Sequence, residues 1–466
     1  MNFKDAVLNT PVATTTTNGM AAYESTLSSN VDLFFKFGAS RGNDISKLFE
    51  AALLESPEVA IRILQWGRDV RGGAGERELF RQCLLFLEKN YPAILCDPRL
   101  LAKIPEIGRW DDLLIFSNES IKSIAYRMIA EALERNDALC AKWMPRKGPI
   151  AADLRKFLGW TPKFYRKRLV ELTKVVETQM CAKDWSAINF SHVPSLAMAR
   201  YAKAFGKNAS AEFQTYKEAL SSGDPSVKVN AAAVYPYDVL KTLKSDPVLA
   251  SEQWKALPNY VGDAMVLPMV DVSGSMHQPA GGSKSLQCID VALSLGLYLS
   301  DKNTGPFQDL FLTFSTRSEF VHLKGDLAAK RRQMGQSDWA MTTNLNSAFE
   351  TVLDVAIRNS VDEADMPKYI LILSDMQFNE CVRNADNRAI EMIRQKYEEA
   401  GYKVPAIIFW NLKAHDNVPV RFDERGTALV SGFSPAIMQA ILKADAADIT
   451  PEGLMLKAVG IERYSL

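Results

Sequence analysis

The sequence predicts a two-part chain, an all-α first half followed by an α/β half built on a doubly wound parallel sheet. Three observations predict it. From about residue 28 to 255, apolar residues recur at three- and four-residue intervals, and strand-like runs are missing. Beside Pro258 and Gly262 the pattern changes, and short apolar runs begin to alternate with helical stretches. The run Asp271-Val-Ser-Gly-Ser-Met276 follows directly on the apolar stretch 264–270. Asp271, Ser273 and Ser275 then fall on a loop at the carboxyl end of a buried strand, where open α/β sheets bind ligands.

The organisation reads as a lead-in over residues 1–27, a helical domain over 28–258 and an α/β domain over 259–466. Within the lead-in, residues 10–19 (TPVATTTTNG) are low in complexity and poor in large apolar groups, which predicts a flexible segment. Helices are predicted over 45–55, 58–66, 76–89, 119–135 and 166–180, separated by turns with Pro or Gly, as in a solenoid-like array. Strands are predicted over 265–271, 310–315, 319–323, 369–374, 406–410 and 427–431. Between them helices are predicted over 285–300, 346–358, 388–400 and 435–442, with a short closing helix after 445.

Composition narrows the function classes. A chain of 466 residues with 47% hydrophobic and 24% charged residues is an ordinary globular chain with room for a large core. No apolar run approaches the roughly 18–20 residues that span a bilayer. Residues 1–8 carry Lys4 and Asp5 and lack an apolar signal core, so a cytoplasmic protein is expected. The six cysteines are scattered and form no C-x-x-C pair, so neither a zinc site nor a disulfide framework is expected. The four histidines show no metal spacing, and no catalytic constellation stands out, so the chain is not expected to be an enzyme. Net charge is zero but unevenly spread: residues 1–262 hold 35 Lys and Arg against 29 Asp and Glu, and the remainder hold 20 against 26. The basic half is the candidate for nucleic acid.

Three small oxygen donors within five residues suit a hard divalent cation such as Mg²⁺. Downstream, Thr342-Thr343-Asn344-Leu345 precedes an amphipathic helical run, and Tyr369-Ile-Leu-Ile-Leu-Ser-Asp375 is an apolar strand ending in an acid. In order and spacing these elements resemble the metal-ion-dependent adhesion site of von Willebrand factor A domains. The resemblance implies Mg²⁺ held by Asp271, Ser273, Ser275, Thr343 and Asp375, with a position left for water or a partner's carboxylate. Met341 and Thr342 stand where the usual pattern has glycines, and of Thr342 and Thr343 the second is assigned to the metal.

Two basic stretches mark the helical half. In 65–81 a Gly-rich loop opens a helix among Arg68, Arg71, Arg77 and Arg81. Such a helix start can bind anions. The other reading is a tight turn whose arginines pair with Asp69, Glu76 and Glu78. Residues 140–168 hold nine basic groups, including Lys163, Arg166, Lys167 and Arg168, against the single acid Asp153. Trp143, Phe157, Trp160, Phe164 and Tyr165 are interleaved. Cations neutralise phosphates and aromatics stack on unpaired bases. The alternative is a solvated basic face with its aromatics in the core. His192 offers a stacking or phosphate contact, or is a structural histidine.

The blocks RDVRGGAGERELFR (68–81), IPEIGRWDDLL (104–114), GWTPKFYRKRL (159–169) and AINFSHVPSLAMARYAKAF (187–205), followed by DVSGSM, resemble the Ro/TROVE family and, within it, the bacterial and phage branch DUF2828. The resemblance spans roughly residues 28–460. It implies a ring of HEAT-like helical repeats joined to a von Willebrand A domain, and a protein that binds small noncoding RNA or single-stranded RNA ends. The first functional expectation is therefore an RNA-binding ribonucleoprotein component. The second is a protein-interaction scaffold, in a phage or chaperone-type assembly, whose metal grips a partner's carboxylate.

Overall fold

A computed structural model describes residues 10, 12–173, 175–231, 234–280, 286–314, 318–336, 344–378 and 389–465. The stretch expected to be a flexible lead-in carries two short antiparallel strands, β1 (Ala13–Thr15) and β2 (Ala21–Tyr23). Tyr23 and Val418 exchange backbone hydrogen bonds of 2.9 and 2.8 Å. The hairpin thus satisfies its polar backbone on a segment nearly 400 residues away, which local composition cannot reveal.

The helical half runs α1 (Ser29–Phe37), α2 (Ser46–Glu55), α3 (Pro57–Arg68), α4 (Arg77–Asn90), α5 (Pro98–Ile107), α6 (Glu119–Glu134), α7 (Ala138–Trp143), α8 (Pro149–Leu158), α9 (Pro162–Leu172), α10 (Val176–Ala182), α11 (Ser195–Asn208), α12 (Ser210–Ser221), α13 (Pro236–Leu243) and α14 (Pro247–Lys255). Side-chain oxygens of Ser28, Ser56, Asp97, Asn118, Asp137 and Thr161 accept from otherwise unpaired N–H groups at helix starts. The single helix expected over 166–180 is two. Thr173 is extended, and its hydroxyl donates to Leu169 O at 2.6 Å, so a side chain competes with the helical ladder where α9 stops.

The α/β half comprises β3 (Val266–Asp271), α15 (Cys288–Lys302), β4 (Leu310–Phe314), β5 (Phe320–His322), α16 (Leu327–Gln336), α17 (Leu345–Asn359), β6 (Tyr369–Ser374), α18 (Ala389–Glu399), β7 (Ala406–Asn411), β8 (Thr427–Ser431) and α19 (Pro451–Val459). The sheet order is β5-β4-β3-β6-β7-β8, parallel except for β5 at one edge. Every residue of β3, β6 and β7 is buried, as in a sheet covered on both faces. Strand order reverses between β3 and β6, which lie side by side with Val270 opposite Leu373. The helix α16 escaped sequence reading because it buries only Leu327 and Met334 and has no apolar stripe.

The two halves, expected to join near 256–264, are docked closely against each other. One hydrophobic core runs from Phe34, Phe35 and Phe37 of α1 through Trp66 to the sheet and on to Tyr464. α1 is buried nearly all round, and its far side lies on β8. Gly38 touches the opposing backbone so closely that an added Cβ would come 2.6 Å from Gly432 Cα. Ser431 Oγ bridges the seam, accepting from Gly38 N at 2.9 Å and donating to Phe34 O at 3.1 Å. The helical half returns to the α/β half at its other end, where α13 packs on α15 and Trp254 Nε1 donates to Asp301 Oδ2 at 2.9 Å. The separate cluster is a smaller lobe around Phe190, Phe205 and Phe213 within α10–α12. Among the described residues no helix is long and apolar enough to cross a membrane.

The shared core makes the two halves unfold together. Gly38→Ala forces backbone against backbone and is expected to cost about 1–3 kcal/mol, the range for overpacking a filled site. Denaturant titration followed by tryptophan fluorescence and by far-UV circular dichroism should show one coincident transition, moved to lower denaturant in the variant.

Candidate functional site

Asp271 ends β3 and Asp375 follows β6, so the two carboxylates meet where strand order reverses, the place at which doubly wound sheets bind ligands. Both are fully buried. Ser273 N donates to Asp271 Oδ1 at 2.9 Å, and the Ser273 and Ser275 hydroxyls lie 3.0 Å apart. Ser374 Oγ donates to Asp271 Oδ2 at 2.5 Å, while Gln377 N donates to Asp375 Oδ1 at 3.3 Å. Burial and the Asp375 carboxylate push the Asp271 carboxyl up to about 7. Asp375 Oδ2 is buried without a hydrogen-bond partner among the described residues. No described Lys or Arg forms an ion pair with either acid. Two adjacent buried carboxylates, one with an unused oxygen, and two hydroxyls form an all-oxygen donor set that fits a hard divalent cation. Asp271, Ser273, Ser275 and Asp375 converge as expected from spacing, and Thr343 lies outside the described residues.

Ser374, Gln377 and His415 belong to this neighbourhood and escaped the sequence reading. Ser374 is the one polar residue before Asp375 in an apolar strand, a signal that was available. His415 lies in the loop after β7, and burial holds its imidazole below the usual value, with Asp375 opposing that shift. Nothing in the sequence around it points to this site.

The expected second RNA patch is largely spent inside the protein. Arg68 is buried and donates through Nε and Nη2 to Asp112 Oδ2 at 2.9 and 2.8 Å. Arg81 Nε donates to Asp112 Oδ1 at 2.6 Å, and Arg77 and Arg81 each reach Asp111 Oδ2 at 3.1 Å. The tight-turn reading holds for Glu78, which lies 3.9 Å from Arg77, but not for the other two acids: Glu76 pairs with Arg41, and Asp69 pairs with Arg463 and Tyr464. Only Arg71 of the four is exposed. The arginines turn inward because the buried Asp112 and the partly buried Asp111, 30 to 44 residues away, need neutralising.

The 140–168 stretch stays on the surface. Thr161 caps α9, with Phe164 N donating to its hydroxyl at 3.2 Å, and Pro162 occupies the first turn. Lys163, Arg166 and Lys167 are exposed, along with Arg146, Lys147 and Lys156. Their spacing puts the first three on one helical face. Phe157 and Phe164 are 45% and 50% exposed, so these rings are not core residues. Tyr165 is core, and Trp160 packs edge-on against Phe164 at 5.1 Å. Arg168 departs from the set: it is half-buried and donates to Asn136 Oδ1. His192 is exposed at the rim of a groove of about 670 Å³, which Lys142, Val170, Val176 and Glu177 also line. This groove separates α9 from the smaller lobe.

The family model Domain of unknown function (DUF2828) matches residues 16–106 and 121–266, together more than half of the chain. The chain belongs to the DUF2828 family. A second model, Domain of unknown function (DUF7788), matches residues 266–461 of this family member. The DUF2828 match begins inside the amino-terminal hairpin and ends where β3 starts. Uncharacterized protein L728 of Acanthamoeba polyphaga mimivirus is 28% identical over 514 aligned positions, which cover 97% of this chain and 87% of that protein. Among solved structures, the Deinococcus radiodurans RO (RSR) protein is similar over 94% of this chain and 100% of its own, with 15% identity and a TM-score of 0.41.

Arg68→Ala in this DUF2828 protein leaves Asp112 short of its buried partner and is expected to cost about 3–5 kcal/mol. Denaturant unfolding measures this. Acid should act at the same network. Burial tends to raise the Asp112 and Asp69 carboxyls, but Arg68 and Arg81 at one and Arg463 at the other hold both below the ordinary 3.8. A depressed acid contributes stability that is full above its unfolded value and lost as pH falls through its folded value. Stability should therefore decline below about pH 4, and less so in Asp69→Asn.

Proposed function

We propose that this protein is an RNA-binding component of a ribonucleoprotein, acting by binding rather than catalysis. The exposed strip on α8 and α9 carries the reading: Lys163, Arg166 and Lys167 on one helical face, with Phe157 and Phe164 standing out beside them. Cations alone would suit any polyanion. Exposed rings among them favour unstacked bases, hence single-stranded RNA or frayed ends over blunt duplex. The likeness of the blocks at 68–81, 104–114, 159–169 and 187–205 to Ro/TROVE proteins supports the same reading. His192, at the groove beyond α9, extends the path a strand would take.

The metal centre is read as a second binding element. Asp271, Ser273, Ser275 and Asp375 would hold Mg²⁺ or a similar divalent cation, with Thr343 assigned from the sequence. The cation would supply positive charge to a buried anionic site and a coordination position for a partner's carboxylate. The unused Asp375 Oδ2 supports this reading, and it gives the protein a docking point for a protein partner on the acidic half.

Fluorescence anisotropy with labelled single-stranded RNA tests the first element. The triple reversal Lys163→Glu, Arg166→Glu, Lys167→Glu should weaken binding at least tenfold and flatten the salt dependence by about 2 in log–log slope, since each phosphate contact contributes roughly 0.7 on single strands. Unchanged affinity would remove this strip from the interface. For the second element, millimolar Mg²⁺ or Mn²⁺ should raise the melting temperature of the wild type. The stabilisation would approach about 2.7 kcal/mol at a hundredfold excess over Kd, and Asp271→Asn should abolish it.

A further inference from the structure

We propose that the amino-terminal hairpin is a positioning element of the metal centre, with Thr16, Thr17 and Asn18 holding the turn after β6 so that Asp375 stays beside Asp271. The inference rests on the metal-centre reading above and adds residues to it from the far end of the chain.

The hairpin turn grips the turn that follows Asp375. Thr16 Oγ1 donates to Phe378 O at 2.5 Å and accepts from Met20 N at 3.0 Å, tying the hairpin's own turn to its target. Thr17 N donates to Gln377 Oε1 at 2.7 Å, and Asn18 Nδ2 donates to Gln377 O at 2.6 Å. On its other side the gripped turn reaches directly into the metal centre. Gln377 N donates to Asp375 Oδ1 at 3.3 Å. Met376 N donates to Ser374 Oγ at 3.0 Å, and that hydroxyl donates to Asp271 Oδ2. Both carboxylates are thus oriented by the segment the hairpin holds.

The turn needs holding. Met376 is buried in the left-handed region at φ 64°, where a side-chain-bearing residue persists only if its surroundings over-determine it. Asp271 and Asp375 are also both fully buried, and no described Lys or Arg pairs with either. Phe378 anchors one end of the turn between Phe314 and Phe409, at ring distances of 5.5 and 6.0 Å. The hairpin anchors the middle. It is itself fixed elsewhere, through Tyr23 and Val418 and through Phe422 N donating to Thr26 O at 3.0 Å, so it can resist displacement. Groups bonded directly to the ligands, as Gln377 and Ser374 are, typically set metal affinity within a factor of about 10–100, and the hairpin acts through Gln377.

The test uses the full chain and Mn²⁺ as the probe, with free Mn²⁺ followed by electron paramagnetic resonance. Thr16→Val with Asn18→Ala should raise the Mn²⁺ dissociation constant about tenfold to a hundredfold, while the melting temperature in EDTA changes little. Thr16→Ser, which keeps the hydroxyl, should restore most of the affinity lost in Thr16→Val. Wild type that binds Mn²⁺ and a double variant that binds equally well would overturn the positioning role and leave the metal centre standing. Wild type that does not bind Mn²⁺ would overturn both. Should the double variant fail to fold, amide hydrogen exchange at residues 376–378 in Asn18→Ala decides: faster exchange supports the proposal, and unchanged exchange overturns it.

Discussion

The close backbone contact between α1 and β8 is the constraint on which the rest of the molecule depends. Gly38 and Gly432 meet with no room for a side chain, and Ser431 satisfies backbone groups across the seam. Because β8 is the sheet edge, this contact covers an edge strand that would otherwise present unpaired groups. It also buries the remaining face of a helix that is buried nearly all round. With α1 seated, α3 and α19 pack in turn, and the carboxyl-terminal Arg463 and Tyr464 reach Asp69 on the helical half. The return of α13 and α14 onto α15 closes the circuit from the other end.

The molecule handles buried carboxylates in two ways. Asp112 sits among Arg68, Arg77 and Arg81, with its charge neutralised and both oxygens engaged. Asp69 is treated similarly by Arg463 and Tyr464. Asp271 and Asp375 are equally buried but receive only hydroxyl and amide donors. Burying an uncompensated carboxylate is expensive, and two side by side more so. The contrast separates carboxylates neutralised by arginine from carboxylates that no described Lys or Arg pairs with, and the two kinds lie in different halves of the chain.

Legibility followed the range of the interaction. The strand runs 266–271, 369–374, 406–411 and 427–431 and the helices at 46–55, 57–68, 77–90 and 119–134 were readable because periodicity is a local record of which face is buried, whereas the helices at 29–37 and 98–107 were not read. Asp271, Ser273, Ser275 and Asp375 were readable because they lie next to strands whose ends the pattern marks. The Thr161-Pro162 start of α9 was readable from capping chemistry alone. The break at Thr173 was not, since a hydroxyl bonding back to Leu169 looks in sequence like any threonine in a helical run. The hairpin at 13–23 was misjudged because small polar residues satisfy their backbone groups in water or on a partner surface equally well, and composition does not say which.

By itself, then, the sequence determined the two structural grammars, the strand-end donors and the basic, aromatic-rich strip on α8 and α9. These depend on neighbours within a few residues. Only the tertiary structure decided that Arg68, Arg77 and Arg81 face inward, that the halves share one core, and that residues 16–18 lie against the turn carrying Asp375. The physical reason is desolvation. Whether a charge or a backbone group must find a protein partner depends on its burial, and burial is set by segments that the chain brings together from hundreds of residues apart.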